Sequence, residues 1–248
     1  MRCLQRAFGI AFAVIGFTSL ASAADIPVKA PAYVAAPSWT GWYIGLNAGY
    51  GWGRDERTDL LPPIGGFWVP IGVGFSDTLR PKGGVYGGHI GYNYQTGQWV
   101  LGLEANFDAA NMKEDKISIY FPATDAWHAK VSAIFTATGR IGYAMNAWLP
   151  YLRGGFATAK LKSRMDDTTA AANFVENNSW YNGWTIGGGV EYMLTPNWIL
   201  GAEYNYMDFG ARTWTGVTTS AAGAFVSNER IQEKLTISTI TARLSYKF

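Results

Sequence analysis

The alternation of apolar and polar residues constrains this chain more than any other feature of its sequence. The final stretch, LTISTITARLSYKF, is apolar at every second residue from Ile240 to the terminal Phe248, and the cations Arg243 and Lys247 lie between them. Successive side chains of a β-strand point to opposite faces of a sheet, so this stretch predicts a strand with one apolar and one polar face. Eight stretches of this kind predict eight antiparallel strands.

The first residues have the features of an export signal. Arg2 and Arg6 precede an apolar run, which is followed by the small residues ASA at 21–23. That order predicts a cleaved signal peptide over residues 1–23. Cleavage removes Cys3, the only cysteine, and lowers the formal net charge from +2 to 0. No basic excess is left that would indicate nucleic acid as a partner.

The lengths of the strands and of their connections indicate a barrel that crosses a membrane. Each stretch has about ten residues or more, the length that a tilted strand needs to cross a bilayer. Three connections are short, around 96–97, 146–147 and 196–197, and the other four are long. Short turns at one end and long loops at the other are typical of outer-membrane barrels. We therefore predict an extended periplasmic leader over residues 24–38 and an all-β, eight-stranded antiparallel transmembrane barrel over residues 39–248.

Each short turn has a tyrosine just before it and a tryptophan just after it. This repeated hairpin unit brings aromatic side chains to one end of the predicted barrel. Aromatic girdles of this kind lie where an outer-membrane barrel meets the membrane–water interface. The predicted girdle residues are Tyr92, Trp99, Tyr143, Trp148, Tyr192 and Trp198.

The charged residues of the strands share one register, opposite the aromatic residues. In a soluble barrel this register would face water, whereas in a membrane barrel it fills the lumen. The export signal, the aromatic turns and the glycines in the charged register favour the membrane barrel, because an eight-stranded barrel has little room inside. The predicted lumen charges are Glu104, Lys130, Arg140, Arg153, Glu191, Glu203 and Arg243.

Two kinds of lumen are compatible with these charges. An unpaired buried charge costs about 3–5 kcal/mol, so we expect Arg140, Arg153 and Arg243 to pair with the three glutamates and close the lumen. An open lumen would instead be a narrow, weakly selective channel. His89 and His128 fall in the lumen register and are expected to form hydrogen bonds there.

Catalytic motifs are missing from the sequence. It has no metalloprotease, P-loop, nucleophile-elbow or paired-cysteine motif, so neither an enzyme nor a cofactor or metal site is expected. The first long loop, LLPPIGGFWVPIGVGF at residues 60–75, is strongly apolar for a segment that faces water. We expect it to pack on itself or on lipopolysaccharide, and the alternative is a contact site for haem, a host surface or another protein.

The segments SWTGWYIGLNAGYGWG and ARLSYKF resemble the small outer-membrane proteins of alphaproteobacteria, a family with an OmpA-like eight-stranded barrel. The resemblance covers residues 38–248. It implies a Gram-negative outer membrane, an abundant structural role and, in some members, a porin label or haem binding. We therefore predict a structural role in envelope integrity, with both termini in the periplasm. The resemblance also implies that Leu244, Tyr246 and Phe248 form the signal read by the outer-membrane assembly machinery.

Overall fold

The computed structural model describes residues 38–60, 76–167, 174–219 and 225–248. Within these ranges there is no helix of the length and apolarity that a membrane span requires. Three predictions lie outside the described residues: the signal peptide over 1–23, the leader up to residue 37, and residues 61–75 of the apolar loop.

The described part of the chain forms one antiparallel sheet that closes on itself. Its strands lie in the order β2-β1-β3-β4-β5-β6-β7-β8-β9, and pairing of β1 with β9 joins the two ends. This confirms the predicted all-β antiparallel barrel. The strands are β1 (Gly41–Asp59), β2 (Ser76–Leu79), β3 (Lys82–Thr96), β4 (Trp99–Ile117), β5 (Asp125–Tyr143), β6 (Trp148–Asp167), β7 (Phe174–Met193), β8 (Trp198–Thr219) and β9 (Phe225–Lys247).

Nine strands occupy eight positions around the wall, because β2 and β3 lie end to end beside β1, and β2 falls within the first predicted long loop. β1 pairs with β3 through residues 41–52 and with β2 through residues 55–58. The interruption between β2 and β3 is at Arg80 and Pro81, where the proline has no N–H for the ladder. The carbonyl oxygen of Pro81 still accepts a hydrogen bond from the N–H of Gly53 at 2.7 Å.

β4 shows how the outer wall changes along a strand. From Trp99 to Ala109 the outward side chains are apolar, whereas the next outward side chains, Asn111 and Lys113, are polar and exposed. The segment from Trp99 to Ala109 has about the 9–11 residues that a strand needs to cross a bilayer. The remainder of β4, up to Ile117, therefore extends beyond the membrane.

Strand extensions replace much of the predicted long loops. Apart from β2, the strands have 15 to 23 residues, about twice the length of a membrane crossing. Only residues 118–124 connect β4 to β5. The predicted loops were too long because most outward side chains of the extensions are polar, so the apolar alternation that marks the membrane segment does not continue into them.

A β-bulge in β5 turns its apolar side chains from the lipid to the interior. The register with β6 shifts between Val131 and Ala133, so Ser132 is an extra residue in β5. Side chains at odd positions face outward on one side of the bulge, as at Ile141, and inward on the other, as at Trp127. The bulge lies at the outer edge of the apolar band, where the outside environment changes from lipid to water.

A second bulge does the same in β8. The register with β9 shifts between Asp208 and Ala211. Gly210 has a φ of 64°, a left-handed conformation that glycine adopts without a steric penalty, and its N–H donates a hydrogen bond to the Asp208 carboxylate at 2.8 Å. Even-numbered side chains face outward before the bulge, as at Tyr204, and inward after it, as at Trp214.

The bulge at Ser132 makes two predictions wrong. Lys130 and His128 were expected in the lumen, but Lys130 is exposed and His128 is partly exposed on the outer face of β5. Their neighbours in the apolar register, Trp127 and Val131, are buried inside. A single inserted residue reverses every side chain beyond it, because the period of a strand is two.

Apolar clusters fill the interior on both sides of an ionic layer. One cluster closes the end of the short turns and includes Trp39, Val100 and Leu149. Another lies towards the strand extensions and includes Met112, Ile134 and Leu161. The extensions themselves enclose a third cluster, which contains Leu79, Trp127, Ala129, Met165, Val175 and Ile231.

Candidate functional site

Six of the seven predicted lumen charges lie together in the membrane-spanning part of the barrel. Three glutamates and three arginines come from six consecutive strands, and all six residues are buried. Inward side chains at one level of a narrow barrel converge on its axis, which brings these charges within reach of one another. The residues are Glu104 on β4, Arg140 on β5, Arg153 on β6, Glu191 on β7, Glu203 on β8 and Arg243 on β9.

Glu104 contacts all three arginines. One carboxylate oxygen, Oε1, accepts from Nη1 of Arg153 at 2.8 Å. The other, Oε2, lies 2.5 Å from Nη2 of Arg243 and 3.4 Å from Nη1 of Arg140. The hydroxyl of Tyr43 also donates to Oε2 at 2.8 Å. Glu104 is therefore the centre of the ionic layer.

The other two glutamates complete the layer. Glu191 accepts hydrogen bonds from Nη1 and Nη2 of Arg140, at 3.1 and 2.6 Å. Glu203 accepts from Arg153 at 2.6 Å and also pairs with Arg243. Three acidic and three basic groups thus neutralise one another across the lumen, so each desolvated charge has a partner.

Tyr43 and Tyr151 both form hydrogen bonds to glutamates of the ionic layer. The ring of Tyr151 lies 3.9 Å from the guanidinium carbon of Arg140, and its hydroxyl donates to Glu203 at 2.5 Å. Gly189 on β7 makes room for this ring, because a Cβ there would lie 2.8 Å from the Tyr151 hydroxyl oxygen. Glycine in the charged register therefore has a steric reason at this position.

A cluster of polar residues around His89 lies next to the ionic layer. The ring of His89 is buried, with Nε2 2.8 Å from the hydroxyl of Ser245 and Nδ1 3.3 Å from Oδ1 of Asn47. The amide of Asn47 donates to Asp108 at 2.5 Å. His89 thus lies in the lumen, as the sequence predicted, and both of its ring nitrogens have a neighbouring polar group.

Trp39 closes the lumen at the end of the short turns. Its side chain is fully buried in the cluster with Val100 and Leu149. Its backbone N–H donates to Oε1 of Gln95 at 2.8 Å. The carbonyl oxygen of the preceding Ser38 accepts from Nζ of Lys247 at 2.5 Å. These contacts hold the residues before β1 across the mouth of the barrel.

A second buried charge cluster lies in the strand extensions and was missed from the sequence. Arg57 pairs with Asp55 at 2.9 Å and with Glu233 at 3.4 Å, and all three side chains are buried. Glu233 also accepts from the hydroxyl of Tyr181 at 2.5 Å. Asp55 and Arg57 lie beyond Trp52, the last outward aromatic of β1, so they are outside the membrane segment. Here burial raises the pKa of Asp55 to about 7, since one guanidinium faces two carboxylates.

The predicted girdle residues form cross-strand pairs on the outer wall near the short turns. Trp99 packs against Tyr143 with ring centroids 5.3 Å apart, and Trp148 packs against Tyr192 at 4.7 Å. These partners belong to neighbouring strands that are joined at the other end of the barrel. Two further pairs continue the series around the wall: Trp42 with Tyr92 and Trp198 with Tyr246.

Comparison with known proteins agrees with this geometry. Residues 10–248 match the family described as the outer membrane protein beta-barrel domain. This chain belongs to that family. It is 33% identical over 244 residues to the 31 kDa outer-membrane immunogenic protein of Brucella melitensis, with 94% of this chain and 95% of that protein covered.

Two further relatives come from the same group of bacteria. The 25 kDa outer-membrane immunogenic protein of Brucella abortus is 29% identical over 255 residues, which cover both chains completely. The 22 kDa outer membrane protein of Rhizobium leguminosarum is 31% identical over 196 residues, with 77% of this chain and 72% of that protein covered. The predicted resemblance to small alphaproteobacterial outer-membrane proteins is confirmed.

The last residues of β9 contribute to the outer wall and to the closure of the barrel. Leu244, Tyr246 and Phe248 face outward on β9 and beside it, and the ring of Phe248 lies 5.3 Å from that of Tyr246. The backbone N–H of Phe248 donates to the carbonyl oxygen of Trp42 at 2.9 Å. The terminal residue therefore takes part in the closure of the barrel, and its use as an assembly signal stays a prediction.

Proposed function

We propose that this outer-membrane barrel is a closed structural protein that supports the envelope and holds a rigid β-sheet extension outside the cell. The observation that carries the proposal is the order of layers inside the barrel. An ionic layer centred on Glu104 lies between apolar clusters that contain Trp39 on one side and Met112 on the other. Conduction requires a continuous polar path, and packed apolar layers interrupt such a path.

The proposed orientation has both termini in the periplasm. Short turns are typical of the periplasmic end of outer-membrane barrels, and the extensions then project from the cell. The word immunogenic in the names of the Brucella relatives supports surface exposure of this end. Protease treatment of intact cells should cleave within 168–173 but not at the turn at 146–147. Cleavage of the turn alone would contradict the orientation.

Conductance in a planar bilayer tests the closed lumen against the narrow channel that is its alternative. We expect the purified barrel, with its fold verified by heat-dependent gel mobility, to give no single-channel steps, whereas a general porin inserted in the same bilayer does. Steps that recur in the wild type and change in Arg140→Gln would overturn the proposal. Steps that remain unchanged in that variant would indicate contamination and call for a second preparation.

Binding of haem or of a host surface by the apolar first loop remains a second alternative. That loop lies largely outside the described residues, so the proposal does not depend on it. Deletion of residues 61–75 is the direct test, because the loop connects β1 to β2 beyond the membrane segment. Loss of binding in a variant that keeps its heat-dependent mobility would add this function to the structural one.

A further inference from the structure

Four lysines face one another across adjacent strands on the outer wall of the extensions. Lys82 on β3 is directly opposite Lys113 on β4, and Lys113 is directly opposite Lys130 on β5. Lys130 is in turn opposite Lys162 on β6. Neighbouring strands are about 4.8 Å apart, so this lysine row places four cations within about 15 Å. Like charges directly opposite each other destabilise a sheet.

The nearby carboxylates leave most of these cations unbalanced. Lys162 pairs with Glu176 at 2.9 Å. Within the described part of the chain, Lys82, Lys113 and Lys130 have no ion pair.

The next row outward uses its own carboxylates. The ring of His128 lies between Asp115, at 2.6 Å from Nδ1, and Asp166, at 2.8 Å from Nε2. Asp166 also pairs with Arg164 at 3.2 Å. These two carboxylates are therefore engaged with the histidine and the arginine, and they do not neutralise the lysine row.

The opposite wall of the barrel is different. There Lys234 on β9 is directly opposite Glu56 on β1, and Glu56 also pairs with Arg54 at 2.6 Å. A lysine at this level is thus faced by a carboxylate on one wall and by further lysines on the other. The excess of positive charge belongs to β3–β6 and is not a general property of the extensions.

The lysine row lies just beyond the hydrocarbon part of the membrane. Ala133 is the last outward residue of the apolar band in β5, and Lys130 lies three residues away from it, on the side of the extension. Three residues of strand span about 10 Å. Lys160, directly opposite Ala133, adds a cation still closer to the lipid. Long lysine side chains reach towards an interface at this distance.

We propose that the lysine row, Lys82, Lys113, Lys130 and Lys162, together with Lys160, binds the phosphate groups of the glycolipid that forms the outer leaflet. Lysine binds phosphate as a point charge, and anionic headgroups at this level would remove the repulsion within the row. The assignment to the outer leaflet rests on the orientation given under the proposed function. The site faces lipid on one side of the barrel only, so it fixes one lipid position around the wall.

Binding to bisphosphorylated lipid A in dodecyl maltoside micelles tests this site. The variant combines Lys82→Gln, Lys113→Gln and Lys130→Gln in the whole chain. Each basic residue near a charged membrane surface contributes about a fivefold change in affinity, so we expect about a hundredfold weaker binding. The matched control, Lys234→Gln, removes a lysine that Glu56 faces and should bind within about twofold of the wild type. Heat-dependent mobility verifies the fold of each variant.

Two further ligands identify the source of the phosphate. Lipid A of the same acyl composition but without phosphates should bind the wild type and the triple variant equally weakly. Inorganic phosphate should compete only at concentrations far above that of the lipid. The proposal fails if the triple variant binds lipid A like the wild type, if the phosphate-free lipid binds as tightly, or if inorganic phosphate alone accounts for the affinity. Micelle binding depends on neither orientation nor conductance, so its outcome is independent of the proposed function.

Discussion

Glu104→Gln is the substitution that should disturb the barrel most for the smallest change in shape. It removes one negative charge from a layer in which Glu104 contacts Arg140, Arg153 and Arg243. Three buried guanidinium groups then face two carboxylates. Removing one partner of a buried ion pair costs about 3–5 kcal/mol, because the remaining charge stays desolvated. We expect the free energy of unfolding to fall by about that amount.

Glu191→Gln is the internal comparison. Glu191 contacts Arg140 alone, and Arg140 retains Glu104 when this charge is removed. The expected loss is about 1.5–3 kcal/mol, the range for a hydrogen bond to a charged group. The double variant Glu104→Gln with Arg243→Gln restores the charge balance, so it should be more stable than Glu104→Gln alone. The two single variants rank the contacts of the glutamates with almost no change in side-chain volume.

Urea unfolding in detergent micelles, followed by tryptophan fluorescence, gives the measurement. Heat-dependent gel mobility provides a second, independent readout of the folded fraction. The reasoning is refuted if Glu104→Gln unfolds within about 0.5 kcal/mol of the wild type, or if Glu191→Gln is the more damaging of the two. Either result would mean that water or rearranged side chains satisfy the arginines, and that the lumen is more open than the contacts indicate.

Three further predictions concern other parts of the barrel. Burial raises the pKa of Asp55 to about 7 from its ordinary 3.8, so between these two pH values the folded state holds a proton that the unfolded state loses. The free energy of unfolding should therefore fall as the pH rises through this window. Asp55→Asn should flatten that slope in urea unfolding at pH 4–8. Gly210→Ala should cost about 1–2 kcal/mol, because Gly210 has a φ of 64°, while Gly139→Ala, where a Cβ would meet nothing within 4 Å, should be nearly neutral in the same assay. Trp39→Ala should lower the free energy of unfolding by about 3–5 kcal/mol, since it empties a buried site, and hydrogen exchange should increase first around Val100.

The two faces of most strands could be predicted from the sequence, because residues two apart lie on the same face of a strand. Within the membrane segment the alternation has one meaning: apolar residues face lipid and the others face the lumen. Six of the seven predicted lumen charges, Glu104 among them, accordingly lie inside. The girdle could be located in the same way, since Trp99 and Tyr143 adjoin short turns that the sequence marks plainly.

The predictions failed where the environment of the wall changes. In β5 the odd positions stay apolar from Tyr143 to Trp127, so the sequence gives no sign that the face has reversed. The reversal comes from one extra residue, Ser132, whose effect depends on how β6 pairs with β5. Lys130 therefore lies outside, where the pattern had predicted it inside.

Pairing between distant charges was also decided by the tertiary structure. The sequence indicates that three arginines and three glutamates share a lumen, but it does not indicate that Glu104 meets all three arginines, because that depends on the stagger of six strands around the wall. The same closure sets Lys82, Lys113 and Lys130 in one row. The period-two pattern is local, and by itself it determined the class of fold and the two faces of most strands. The register and the bulges depend on how neighbouring strands pair, and they determined which charges are neighbours.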